Sequence, residues 1–197
     1  MLTELNKLQE QAILEIARSI ASCDEQVLAT LIEQMRLRLL EPKEMLFEMG
    51  DQGATEYFVT QGILRTYALS PEGEEVTMGF FVAPCALTPS IARDLDNVSQ
   101  LSCDALTPVT VALLDGQLLI QSMMQNQRMQ IWGDTVMRSE LTRKMQRELG
   151  LATHTAKRRL DEFRLLYPEL EDQITHSMIA SYLGMTSVTL SRLRNSG

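Results

Sequence analysis

The twenty residues HSMIASYLGMTSVTLSRLRN, 176–195, constrain the fold of this chain more tightly than any other stretch. Thr175 precedes them as a helix N-cap, its hydroxyl suited to the free amides of a first turn. Ile179 and Leu183 then share one face of a helix expected from His176 to Leu183. Gly184 follows, where a left-handed turn costs little only for glycine. Thr186 caps a second helix, with Val188 near its start and Leu190 and Leu193 facing inward. Ala180 is small, as it must be where two helices cross steeply. A tiny residue, a turn glycine and this apolar spacing, in that order, describe a helix-turn-helix.

The outward side of the second helix carries Ser187, Thr189, Ser191, Arg192 and Arg194, with no carboxylate among them. Such a face approaches phosphates without repulsion, and an arginine can bond guanine O6 and N7 together. A plain hairpin of two helices satisfies the same spacing without touching nucleic acid. Charge leans the same way. Residues 1–137 hold 8 Lys/Arg against 19 Asp/Glu, whereas residues 138–197 hold 10 against 7. The basic end could meet a polyanion, and it could equally be a solvated helical surface.

Upstream the texture changes twice. Leu5, Leu8, Ala12, Ile16 and Ile20 predict an amphipathic helix over 4–20, and Ser22 or Asp24 can cap a second one carrying Val27, Leu28, Leu31 and Ile32. After Pro42, short apolar runs are broken by Gly50-Asp51, Gly53, Gly62 and Pro71-Glu72-Gly73, which predicts strands joined by tight turns. ALTPVTVALLDG closes that region. Strands followed by helices indicate an α+β protein. Helical texture returns near residue 117. Its apolar positions thin to Met137, Leu141, Met145 and Leu149 at steps of four, a seam for a partner subunit or for the chain's own second domain. Gly150 is placed to end that helix. Ala156, Leu160, Phe163 and Tyr167 then mark one more core-facing helix, started by Thr153 or Thr155, stopped by Pro168 and with solvated basic residues.

Several classes are set aside. No apolar run approaches the ~20 residues of a membrane span, and the first twenty residues lack the unbroken core of a signal peptide, so a cytoplasmic protein is expected. Three separated cysteines, Cys23, Cys85 and Cys103, suit buried free thiols in a reducing compartment. Residues 40–118 contain no histidine, which argues against a cupin-like metalloenzyme, and neither GxSxG nor a P-loop occurs. No enzyme, metal or cofactor is expected.

With both halves in view, the chain resembles the bacterial regulators of the cyclic-AMP receptor protein and fumarate–nitrate regulator (Crp/Fnr) family. EMLFEMGDQGATEYFVTQGILRTY and SPEGEEVTMGFF look like its β-roll, with Gly50, Gly62 and Gly73 at hairpin turns. The resemblance implies N-terminal helices with a cyclic-nucleotide-binding-like jelly roll over 1–118, a dimerisation helix over 119–150 with Met137, Leu141 and Met145 at the interface, and a DNA-binding domain over 151–197. It further implies a homodimer on a near-palindromic duplex, with half-sites roughly 34 Å apart, RNA polymerase as a partner and a small-molecule effector. DNA contacts fall on Thr186, Ser187, Val188, Thr189, Ser191, Arg192 and Arg194. Base reading belongs to Ser187, Val188 and Arg192, and a backbone contact to Thr189.

Departures from the family matter. Its cyclic-nucleotide members hold the ribose with a Glu and the phosphate with an Arg followed by Ser or Thr. Here VAPCALTPSIARDLDNVSQLSCDALTP stands in that place, with no Glu, and its Arg93 is followed by Asp94. This argues against a cyclic nucleotide and for a degenerate pocket or an apolar effector. Three cysteines do not make the four-cysteine iron–sulfur site of the oxygen-sensing members, and nothing marks a haem ligand. Only Asn195, Ser196 and Gly197 follow Arg194, so no wing is evident. The same departures leave a second reading open, a protein-interaction module of this fold that has lost DNA binding.

Overall fold

In a computed structural model, which describes residues 2–88, 93 and 96–195, the chain forms two compact units. One comprises Met1–Arg65 with Phe80–Leu141, the other Thr66–Gly79 with Thr142–Gly197. The first starts with α1 (Lys7–Ile20) and α2 (Glu25–Gln34). The Asn6 side chain accepts the Gln9 amide while the Gln9 side chain accepts that of Asn6, so α1 begins three residues later than its apolar spacing predicts. Asp24, rather than Ser22, caps α2 by accepting from Gln26 and Val27.

The strands are β1 (Leu2–Thr3), β2 (Arg36–Leu40), β3 (Met45–Phe47), β4 (Thr55–Gln61), β5 (Ile63–Leu69), β6 (Glu75–Val82), β7 (Cys85–Leu87), β8 (Ser102–Ala105) and β9 (Val109–Asp115). They form a sheet ordered β1-β2-β9-β4-β7 and another ordered β3-β8-β5-β6. Leu40, Tyr57, Val59, Val109 and Val111 of the first sheet share a core with Phe47, Leu64, Cys103 and Ala105 of the second, the inside of a β-roll. Successive strand side chains alternate faces, so Phe58 and Ala112 point the other way. They pack with Ile13, Ile16, Leu28 and Trp132 under the helices. Both faces of β4 are therefore covered, which explains its unbroken buried run from Glu56 to Val59. Gly62 links β4 to β5 at φ +89°, and a Cβ there would strike the Pro108 carbonyl. Within the roll, Arg65 and Asp104 are paired two-pronged at 2.9 Å, both buried.

The single helix expected over 119–150 is two helices, α3 (Gly116–Gln125) and α4 (Gln127–Thr153). Asn126 breaks it, because its side chain accepts the Arg128 and Met129 amides and starts a new helix. Gly150 does not end α4, which continues one turn to Thr153. Then come α5 (Ala156–Leu166), capped by Thr155, a 3-10 turn at Leu170–Asp172, α6 (His176–Tyr182) and α7 (Ser187–Asn195). Among the described residues, no helix is long and apolar enough to cross a membrane. Asp94, Ser196 and Gly197, on which the nucleotide and wing expectations partly turn, lie outside the described residues.

Glu56 is the misfit of this core. It is 9 % exposed, and its Oε2 has no hydrogen-bond partner. Burial pushes its carboxyl up to about 7, against the pull of Arg93 and a hydrogen bond from Thr88. Unfolding returns it to an ordinary 4.5, so the fold favours the protonated form. That contribution is complete below the unfolded value and is lost as pH rises through about 7. Glu56→Gln is expected to stabilise the protein by on the order of 3 kcal/mol above neutrality, the gain vanishing under acid conditions. Urea unfolding across a pH series reads this directly.

Candidate nucleic-acid interface

The second unit is organised around the C-terminal end of α6. Thr175 starts that helix by accepting the Met178 amide at 3.4 Å, and Ile179, Ala180, Tyr182 and Leu183 are buried. At its far end the Met185 amide donates to the Ala180 carbonyl and the Gly184 amide to that of Ser181, a Schellman turn. The turn needs a left-handed residue, and Gly184 supplies it at φ +60°. A Cβ there would also lie 2.7 Å from Leu151 Cδ2.

Three further carbonyls at this end are met by arginines. Arg147 Nη2 donates to Tyr182 at 3.1 Å, and Arg159 donates to Leu183 at 2.8 Å and to Gly184 at 3.3 Å. Cations also suit the negative end of a helix dipole. Arg159 thus corrects the expectation that the basic residues of α5 are simply solvated. Arg147 Nη2 donates as well to the Thr77 carbonyl at 3.2 Å, and the Thr77 amide donates to Ser181 Oγ at 3.0 Å. Thr77 belongs to the β5–β6 hairpin, whose tip joins this unit. No local periodicity could announce that contact, since the partners are 104 residues apart.

From this turn α7 projects. Thr186 Oγ1 accepts the Thr189 amide at 3.1 Å, and the two hydroxyls bond at 2.9 Å. Leu190 is fully buried, whereas Ser187, Val188, Ser191 and Arg192 are exposed on the opposite side and Thr189 is half-buried. Arg194, expected to contact DNA, has partners within the unit. Its Nε pairs with Glu171 at 2.7 Å, and its guanidinium lies against the His176 ring. Glu171 also takes Arg164, which, ahead of Arg194, holds its carboxyl below the usual range. A carboxylate therefore neutralises the last arginine of α7.

Residues 37–126 match the cyclic nucleotide-binding domain family. The fumarate and nitrate reduction regulatory protein of Escherichia coli (strain K12) is 27% identical over 170 residues, covering 80% of this chain and 67% of that protein. The transcriptional activator protein Anr of Pseudomonas protegens is 27% identical over 169 residues, covering 80% and 68%. Among solved structures, FixK2 from Bradyrhizobium japonicum superposes with a TM-score of 0.70 at 19% identity, over 81% of this chain and 82% of its own. Over most of its length the chain is thus similar to regulators of the Crp/Fnr family.

Arg93, the one arginine of residues 82–108, donates to the Thr55 carbonyl at 3.1 Å and acts electrostatically on Glu56. The chain's relatives are regulators and not enzymes. On α4, Leu141 and Met145 are both 56% exposed and Met137 is half-buried. The turn at Gly184 yields a stability test. Gly184→Ala is expected to cost at least about 1–2 kcal/mol through its left-handed backbone. Gly184→Asn meets the same Leu151 contact but tolerates that backbone better, so it should lose less in thermal unfolding followed by circular dichroism.

Proposed function

We propose that this protein is a dimeric, sequence-specific DNA-binding transcription regulator of the Crp/Fnr family, acting in the cytoplasm. The observation that carries the reading is the exposed side of α7. Ser187, Val188, Ser191 and Arg192 share it, while Leu190 anchors the helix from behind. Ser187 and Ser191 can donate to phosphates, Val188 can touch a thymine methyl, and Arg192 can bond guanine. Thr186 and Thr189 bond one another at the helix start, and together they offer hydroxyls to a phosphate backbone. Two such helices on a twofold axis address a near-palindromic site.

The dimer seam is Met137, Leu141 and Met145, at steps of four on one helix. Leu141 and Met145 offer apolar surface that suits a symmetric partner helix. Contact with RNA polymerase belongs to the same reading. The effector is not a cyclic nucleotide: residues 82–108 hold no Glu, and their one arginine, Arg93, donates to the Thr55 carbonyl. The pairing of Arg194 with Glu171 favours a second reading, a protein-interaction module of this fold without DNA binding, because it removes one of the two arginines of α7 from that task.

Mobility shifts against a promoter library test the first reading. Arg192→Ala should cost about 1–3 kcal/mol at the best site and relax specificity at one base position. Arg194→Ala should cost less, since its charge is already neutralised. Leu141→Glu with Met145→Glu should convert the dimer to monomer in sedimentation and abolish binding to the full palindrome. Failure of the chain to retain any duplex at low salt would promote the second reading.

A further inference from the structure

The strand β6 is an edge of its sheet, paired on one side by β5. An edge strand carries amides and carbonyls that no neighbouring strand meets, and where they are buried they need other partners. Thr77, in β6, is wholly buried. Its amide donates to Ser181 Oγ at 3.0 Å, and its carbonyl accepts from Arg147 Nη2 at 3.2 Å. The amide and carbonyl of one strand residue point the same way. A serine of α6 and an arginine of α4 therefore stand where a further strand would pair. The same Arg147 nitrogen donates to the Tyr182 carbonyl at 3.1 Å, and its guanidinium stacks 4.8 Å over the Tyr182 ring. Ser181 and Tyr182 close α6, and α7 begins at Ser187.

The strand that carries Thr77 is held in both directions. Toward the turn, the Ser70 amide donates to the Glu74 carbonyl at 2.8 Å and the Gly73 amide to the Ser70 carbonyl at 2.9 Å, with Gly73 at φ +83°. In the other direction β6 runs on to Phe80, which is 2% exposed and belongs to the first unit. From Thr77 to Phe80 the chain is about 10 Å of extended strand, which passes on a displacement with little slack.

We propose that the β6 edge at Thr77 is the seat that orients the helix-turn-helix, with Ser181 as a positioning residue for α7 acting through the last turn of α6. A shift of β6 reaches α7 along one strand and three hydrogen bonds, separately from any route along α4. Its effect on DNA rests on reading α7 as the recognition helix, whereas the seating itself does not.

Amide hydrogen exchange of the full chain, read by mass spectrometry, tests the seating without DNA. Gly73→Val puts a branched side chain at a left-handed position, where a Cβ meets nothing within 4 Å, so it strains the turn alone. It should speed exchange over 186–195 about tenfold while leaving α5 unchanged. Ser181→Ala leaves the Thr77 amide without its acceptor and should speed the same segment about tenfold. Ser181→Thr keeps the hydroxyl and should stay at the parent rate. The double variant of Gly73→Val and Ser181→Ala should exchange little faster than Ser181→Ala, because both changes act through one contact. In mobility shifts, Ser181→Ala should weaken the best duplex of a promoter library about tenfold and a random duplex by less than about twofold, since phosphate contacts need less exact placement. Unchanged exchange of α7 in Gly73→Val, additive effects in the double variant, or equal losses on both duplexes would each overturn the proposal. A parent that retains no duplex, with the exchange results as expected, would remove the DNA reading and leave the seat standing.

Discussion

The end of a short helix is the constraint on which the second unit depends. The helix α6 has seven residues, so its C-terminal carbonyls are a large share of its backbone and must be satisfied close to a buried surface. The turn at Gly184 meets those of Ala180 and Ser181, and two arginines from elsewhere in the chain meet the rest. Arg147 comes from α4 and Arg159 from α5, so the same bonds that finish the helix tie three helices together. Charge and geometry act in one direction here, because cations stand at the negative end of α6. The position of α7 follows from that junction, since only Met185 and Thr186 separate it from the glycine.

The first unit is arranged by a different rule, the two-sidedness of its five-stranded sheet. Tyr57 and Val59 face the inside of the roll, and Phe58 between them faces the helices. A sheet covered on both sides cannot keep a polar residue cheaply in an inner strand, and Glu56 on β4 is the exception. The Arg93 charge offsets part of that penalty. Arg65 and Asp104 show the alternative solution, a buried pair in which each charge finds its complement.

Much of this was legible in the residues. The helix-turn-helix could be read because its determinants are local: a cap, a glycine and an apolar spacing within twenty positions. Strand character after Pro42 was legible for the same reason, as alternation broken by turn glycines. What escaped was long-range or competitive. The break at Asn126 lost to an uninterrupted apolar pattern, because a side chain that caps a helix does not alter hydrophobic periodicity. Gly150 read as a stop, yet nothing near it demands a left-handed residue, and the helix runs through. Arg159 looks like solvated charge in sequence, and only the fold brings it and Arg147 to the carbonyls of α6. The pairing of Arg194 with Glu171, 23 positions earlier, was hidden in the same way.

Trp132 is the chain's single tryptophan. Its indole donates to the Ala17 carbonyl at 3.0 Å and lies nearly parallel to Phe58, wholly within the first unit. Tyr67, Tyr167 and Tyr182 belong to the second. Tyr57 lies in the first, so indole emission watches the sandwich and its overlying helices alone, while three of the four phenols watch the hairpin tip and the carboxy-terminal bundle. Melting curves recorded at two wavelengths would resolve whether the halves come apart together or in turn, with no label attached.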